Sequence, residues 1–117
     1  MKKTVPFELF DKNQYLMFDI LRLAALETSL GQSLPTAFRA GNAGVNFCLA
    51  ALPIGLAQHY HKPTPAMFVE KIETYLDNGG TLDEIATPIL RAIIATGIMG
   101  SEPKAEEAEA DENPKNE

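Results

Sequence analysis

Val5-Pro6-Phe7-Glu8-Leu9-Phe10-Asp11-Lys12-Asn13-Gln14-Tyr15-Leu16-Met17-Phe18-Asp19-Ile20 holds two short apolar and aromatic runs, a polar trio between them, and then a change of period. Val5 to Phe10 and Gln14 to Phe18 have the composition of strands. Asp11-Lys12-Asn13 tolerates turn geometry, so the stretch predicts a β-hairpin. Alternation puts Phe7 and Leu9 on one face, with Tyr15 and Met17 as cross-strand partners. From Asp19 the spacing becomes helical. Asp19 is placed to cap the first turn, and Ile20, Leu23, Leu26 or Glu27, and Leu30 follow at helical intervals. Gly31 ends the run. Glu27, set among apolar neighbours, is expected to face solvent or pair with Arg22. The two periods together give an α+β class with a small N-terminal hairpin.

Outward from this stretch the chain reads as helices. Ser33-Leu34-Pro35 opens a short one, Ser33 capping and Pro35 in the tolerant first turn. Gly41-Asn42-Ala43-Gly44 breaks the chain. Val45 to Tyr60 is apolar almost all round, the mark of a helix enclosed by others. Pro53 removes one hydrogen bond there and predicts a kink near Leu49. Ala50, Ala51, Gly55 and Ala57 are small enough for a neighbouring helix to approach closely. Thr64-Pro65 starts the next helix. Its expected buried stripe is Phe68, Val69, Ile72, Tyr75 and Leu76, with Glu70, Lys71 and Glu73 in water. Asp77-Asn78-Gly79-Gly80 stops it. Thr81-Leu82-Asp83-Glu84 is a capping box. Thr87-Pro88 either kinks the closing helix or opens another through Ile89, Leu90, Ile93 and Ile94. The expectation is a compact bundle of about five helices behind the hairpin.

Composition changes at Gly100. Ser101 to Glu117 has no apolar residue beyond Ala and carries seven carboxylates against two lysines. Such a segment buries too little to offset its ordering entropy, so 101–117 is expected to be a disordered acidic tail behind a folded domain of residues 1–100. The whole chain has a net charge of −6, most of it in the tail, and its body is nearly neutral. Nucleic-acid binding needs clustered Lys and Arg, and the eight basic residues of the body are scattered among nine acids. The uncharged stretch Ala40 to His61 is long enough for a membrane span, but Pro53, three glycines, Asn42, Asn46, Gln58 and His59 fit a buried helix better. Met1-Lys2-Lys3-Thr4 is followed by Pro6, Glu8 and Asp11, which interrupt any signal region. The lone Cys48, within Phe47-Cys48-Leu49-Ala50, fits a reducing cytosol and a small buried side chain.

Residues able to do chemistry are sparse. His59 and His61 are the only imidazoles, and at i and i+2 they point apart on a helix, short of the three or four ligands a metal needs. They suit a polar helix end leading into Lys62-Pro63. Gly31-Gln32-Ser33-Leu34 and Gly41-Asn42-Ala43-Gly44 lack the spacing and lysine of a phosphate-cradling loop. No Ser-His-Asp signature is present. Glu106, Glu107 and Glu109 lie in the tail, where ordering entropy opposes tight ion binding. The expectation is a protein that is not an enzyme, with no catalytic, cofactor-binding or metal-binding residues and no cofactor.

The order of elements resembles a known group. The hairpin ends Tyr15-Leu16-Met17-Phe18-Asp19, and the first helix ends Leu26-Glu27-Thr28-Ser29-Leu30-Gly31-Gln32-Ser33-Leu34. An apolar helix then ends Leu56-Ala57-Gln58-His59-Tyr60. A Pro-Thr-Pro helix start, Tyr75-Leu76-Asp77-Asn78-Gly79-Gly80 and a closing helix complete the series. Over residues 5 to 100 this is similar to the tail assembly chaperones of long-tailed bacteriophages and gene transfer agents; Pro53 and Pro88 depart from the pattern. The resemblance implies a non-enzymatic protein of the infected host's cytoplasm, absent from the virion, that binds the tape measure and tail tube proteins. It implies coverage of apolar helix faces on a long partner, with self-association along it; composition and charge add the expectation of neither nucleic acid nor membrane as partner. Members of this group often have a longer product made by a −1 ribosomal slip. Pro114-Lys115-Asn116 is compatible with CCA AAA AAC, which contains the slippery heptamer A AAA AAC, and an acidic tail would serve as a tether to an appended domain. The rival expectation is a small cytosolic helical adaptor or antitoxin-like regulator. A small metal-dependent enzyme using His59 and His61 is a third.

Overall fold

The computed structural model describes residues 3–100. The expected tail Ser101 to Glu117, with its proposed slippery codons, and the first two residues lie outside the described residues. Strand β1 (Thr4–Pro6) and strand β2 (Tyr15–Met17) pair antiparallel, with Thr4 opposite Met17, Val5 opposite Leu16 and Pro6 opposite Tyr15. Five helices follow: α1 (Ile20–Leu30), α2 (Leu34–Arg39), α3 (Val45–Gly55), α4 (Pro65–Asp77) and α5 (Leu82–Ala95). The architecture is the expected α+β class, predominantly helical behind a small hairpin.

The hairpin departs from expectation in length and register. Tyr15 and Met17 face Pro6 and Thr4 rather than Leu9 and Phe7. Pairing ends after the Phe7 N–H donates to the Gln14 carbonyl at 2.9 Å. The residues beyond form a wide loop because Phe10 has better partners than a strand would give it. Its ring meets Phe7 at 5.3 Å, Phe68 at 6.3 Å and Tyr75 at 6.5 Å between centroids. The contacts with Phe7 and Tyr75 are edge to face and that with Phe68 is tilted, and such ring pairs add to the apolar area they bury. Asn13, at φ 64°, makes the left-handed turn that returns the chain to β2.

Local capping behaves as the sequence predicts. Asp19 Oδ1 accepts the Arg22 N–H at 2.9 Å, and Gly31, at φ 73°, donates its N–H to the Glu27 carbonyl. Ser33 Oγ accepts the Thr36 N–H, and Thr81 and Glu84 form the capping box of α5. Glu27 neither pairs with Arg22 nor lies idle. Its Oε2 accepts the Leu34 N–H at 2.7 Å, supplying an acceptor to the free amides that open α2.

Helix α3 is the centre of the fold, with Phe47, Cys48, Ala51, Leu52, Pro53 and Gly55 buried. It stops at Gly55 instead of running to Tyr60, and a 3-10 turn over Ala57–His59 follows. The element that approaches its small residues at this end is the hairpin, not only a helix. A Cβ placed on Gly55 would stand 2.8 Å from Leu16 Cδ2 and 2.8 Å from Phe18 Cζ. Helix α5 runs unbroken through Pro88, so Thr87-Pro88 does not open a second helix. Ile85, Ala86, Ile89, Ala92 and Ile93 are buried on both sides of the proline and hold the helix together across it. In α4 the buried stripe narrows to Phe68 and Ile72. Val69 and Leu76 are 41% and 40% exposed, outside the expected core. Lys71, expected in water, is only half-exposed and folds back toward the hairpin loop.

Candidate partner-binding surface

The 7–14 loop lies across α4 and is tied there by a polar cluster at its base. Lys71 Nζ stands 3.5 Å from Asp11 Oδ2, and the Tyr60 hydroxyl donates to the same carboxylate oxygen at 3.2 Å. Gln14, almost fully buried, donates through Nε2 to the Tyr60 hydroxyl at 3.0 Å, which satisfies the buried amide. The Lys71 ammonium also sits 5.7 Å from the centre of the Tyr60 ring, within cation–π range.

A second polar cluster clamps β2 to the end of α3. Arg22 Nη1 donates to the Met17 carbonyl at 3.0 Å and to Gln58 Oε1 at 2.6 Å, while Gln58 Nε2 donates to the Tyr15 carbonyl at 2.7 Å. His59 Nε2 accepts the Tyr15 N–H at 3.0 Å, and the two rings stack edge to face. These side chains supply the hydrogen bonds that a third strand would otherwise give. His59 thus has a structural position in the hairpin clamp, and His61 is exposed beyond it. Among the described residues, no group of three His, Cys, Asp or Glu side chains could hold a metal ion. Cys48 is buried, and burial pushes its thiol up to about 11.

Between the loop and the last two helices the surface is hollowed. One groove of about 560 Å³ is lined by Leu9, Phe10, Met67, Glu70, Lys71 and Tyr75, among others. A second, of about 420 Å³, lies against Leu9, Tyr75, Glu84, Thr87, Pro88 and Arg91. Leu9 and Tyr75 belong to both, so the two form one track divided by a ridge. Tyr75 is held in that ridge from two sides. Its hydroxyl donates to Glu84 Oε1 at 2.8 Å, and Gly80 leaves room for the ring, which a Cβ there would strike. The hydrogen bond raises the Tyr75 phenol above its ordinary value. The same bond, with the Thr81 N–H, lowers the Glu84 carboxyl. A smaller hollow of about 380 Å³ lies beside the start of α3, against Leu30, Asn42, Val45 and Phe47.

Neither groove was visible in the sequence, because it is made by a loop whose path depends on Phe10 finding Phe68 and Tyr75. The one local signal was Gly79-Gly80 directly after the aromatic end of α4. Other large apolar side chains are exposed away from the grooves: Leu21 at 82%, Ile20 at 58% and Val45 at 54%. No helix among the described residues is long and apolar enough to cross a membrane. No protein-family model, curated protein or solved structure matches the chain.

Proposed function

We propose that this chain is a non-enzymatic tail assembly chaperone of a long-tailed bacteriophage or gene transfer agent. It acts in the host cytoplasm, covering the apolar helix faces of the tape measure protein until tail tube subunits replace it. The observation that carries the reading is the exposure of large apolar side chains on several elements, Ile20 and Leu21 on α1, Val45 on α3, and Met67, Val69 and Leu76 on α4. A solitary exposed apolar residue is ordinary; a series of them on three helices suits a protein whose task is to bind and release other apolar surfaces. The element order, hairpin and then helices, is the other support.

The test is the gene's neighbourhood, followed by capture. A tube-protein gene upstream, a −1 frame overlapping the codons of Pro114-Lys115-Asn116, and a very long helical reading frame downstream are expected. The product of that long frame, co-expressed with this chain, should be captured by it and kept soluble. A gene standing alone beside a toxin, with no such frames, would transfer the chain to the adaptor or antitoxin-like class.

A further inference from the structure

We infer that the track formed by the two grooves at Leu9 and Tyr75 is a docking site for an amphipathic partner helix with an apolar stripe and basic flanks. The inference rests on the chaperone reading for the identity of the natural partner, but not for the surface itself. Three features point to this occupant. The second groove is mostly apolar, with Leu9, Tyr75 and Pro88 in its walls, and the first adds Phe10 and Met67 among the polar side chains Glu70, Lys71 and Thr74. An aromatic ridge locked in place before binding loses little freedom on contact, and Tyr75 is locked by Gly80 and Glu84.

Charge decides the chemistry of the flanks. The segments that build this face, residues 7–14, Pro65–Asp77 and Leu82–Ala95, hold seven of the nine acidic side chains of residues 1–100 and three of the eight basic ones. One of those three, Lys71, is already drawn to Asp11. The grooves themselves are lined by Glu70, Asp83 and Glu84 against Lys71 and Arg91, so acids outnumber bases there too, while the remainder of residues 1–100 carries an excess of bases. Glu70 and Asp83 stand on the rims of the two grooves, where Lys or Arg beside an apolar stripe would meet them. Helix-in-groove recognition has this form, with apolar anchors for affinity and complementary charge for orientation and rate.

Met67→Gln separates binding from folding. Met67 occupies the third position of α4, and its sulfur accepts the Thr64 N–H at 3.3 Å. Gln there completes a capping box with Thr64, so the helix start is kept while the groove loses an apolar contact. The probe is a synthetic helix of about 20 residues, Leu at i, i+3, i+4 and i+7 with Lys on both flanks, and a counterpart with Glu in place of Lys. Binding to the full chain is followed by fluorescence anisotropy. The Lys-flanked helix is expected to bind, Met67→Gln to weaken it about tenfold, and Glu70→Lys with Asp83→Lys to weaken it further, most at low salt. The Glu-flanked helix is expected to bind poorly, and Ser29→Ala, at an exposed position of α1, to change nothing. Equal binding by wild type and Met67→Gln, or equal affinity for both probes, would overturn the proposal. So would a loss of self-association, and not of probe binding, in Met67→Gln, since the occupant would then be a second copy. Capture of the tape measure product equally by wild type and Met67→Gln would remove the groove and leave the chaperone reading intact. A groove-dependent probe in a chain lacking phage neighbours would do the reverse.

Discussion

Gly55 and Cys48 show how little room the centre of this protein allows. At Gly55 the hairpin residues Leu16 and Phe18 press on the backbone of α3 at distances no methyl group can share. Gly55→Ala should lower stability by about 1–3 kcal/mol through overpacking, read as a lower urea midpoint with an unchanged slope. Cys48, two turns earlier, is fully buried in the core, with its thiol raised to about 11. The folded chain should not react with a thiol reagent at pH 8, and reaction should track unfolding. Because the folded value is the higher one, the contribution of the neutral thiol is complete below its ordinary value. It fades as pH climbs toward about 11.

The start of α5 has a pH dependence of the opposite sign. Glu84 takes a hydrogen bond from the Tyr75 hydroxyl and another from the Thr81 N–H, and both favour its charged form. A carboxyl lowered on folding stabilises above its ordinary range and loses that contribution as pH falls through the folded value. An acid titration should therefore loosen the α4–α5 junction, and Glu84→Gln should flatten that limb of the stability profile. Thr81→Ala removes the acceptor of the Glu84 N–H and should cost about 1 kcal/mol, measured by denaturant unfolding. Such devices belong to single elements. Asp19, Gly31, Ser33 and Thr81 each act within one helical turn of their own position, which is why their roles could be read from spacing alone.

At the scale of the molecule the hairpin depends on long-range side-chain contacts more than on its own short pairing. Its short ladder is held by side chains from α1 and from the turn after α3, and its loop by Lys71, Tyr60 and Phe10. Replacing Arg22 with Ala removes donors to Met17 and Gln58. It should cost about 1–3 kcal/mol and speed amide exchange in β2 more than in α5. The same variant should leave probe binding at the α4–α5 rim less affected than Met67→Gln does.

What the sequence by itself determined is the part governed by near neighbours. The hairpin-then-helix class, the turn at Asn13 and the caps at Asp19, Ser33 and Thr81 follow from residues within a few positions of one another. Tertiary structure alone decided the rest. Strand register shifted because Phe10 is drawn to Phe68 and Tyr75, more than fifty residues away. Glu27 turned to Leu34 because α2 opens beside it, and Lys71 turned to Asp11 because the loop crosses α4. Helix α3 ended at Gly55, where the chain turns so that Gln58 and His59 reach β2. The grooves exist only where these long-range choices meet. Their lining residues are drawn from three segments whose separate patterns say nothing of one another, so packing had to place Leu9 beside Tyr75 before a binding surface could be read.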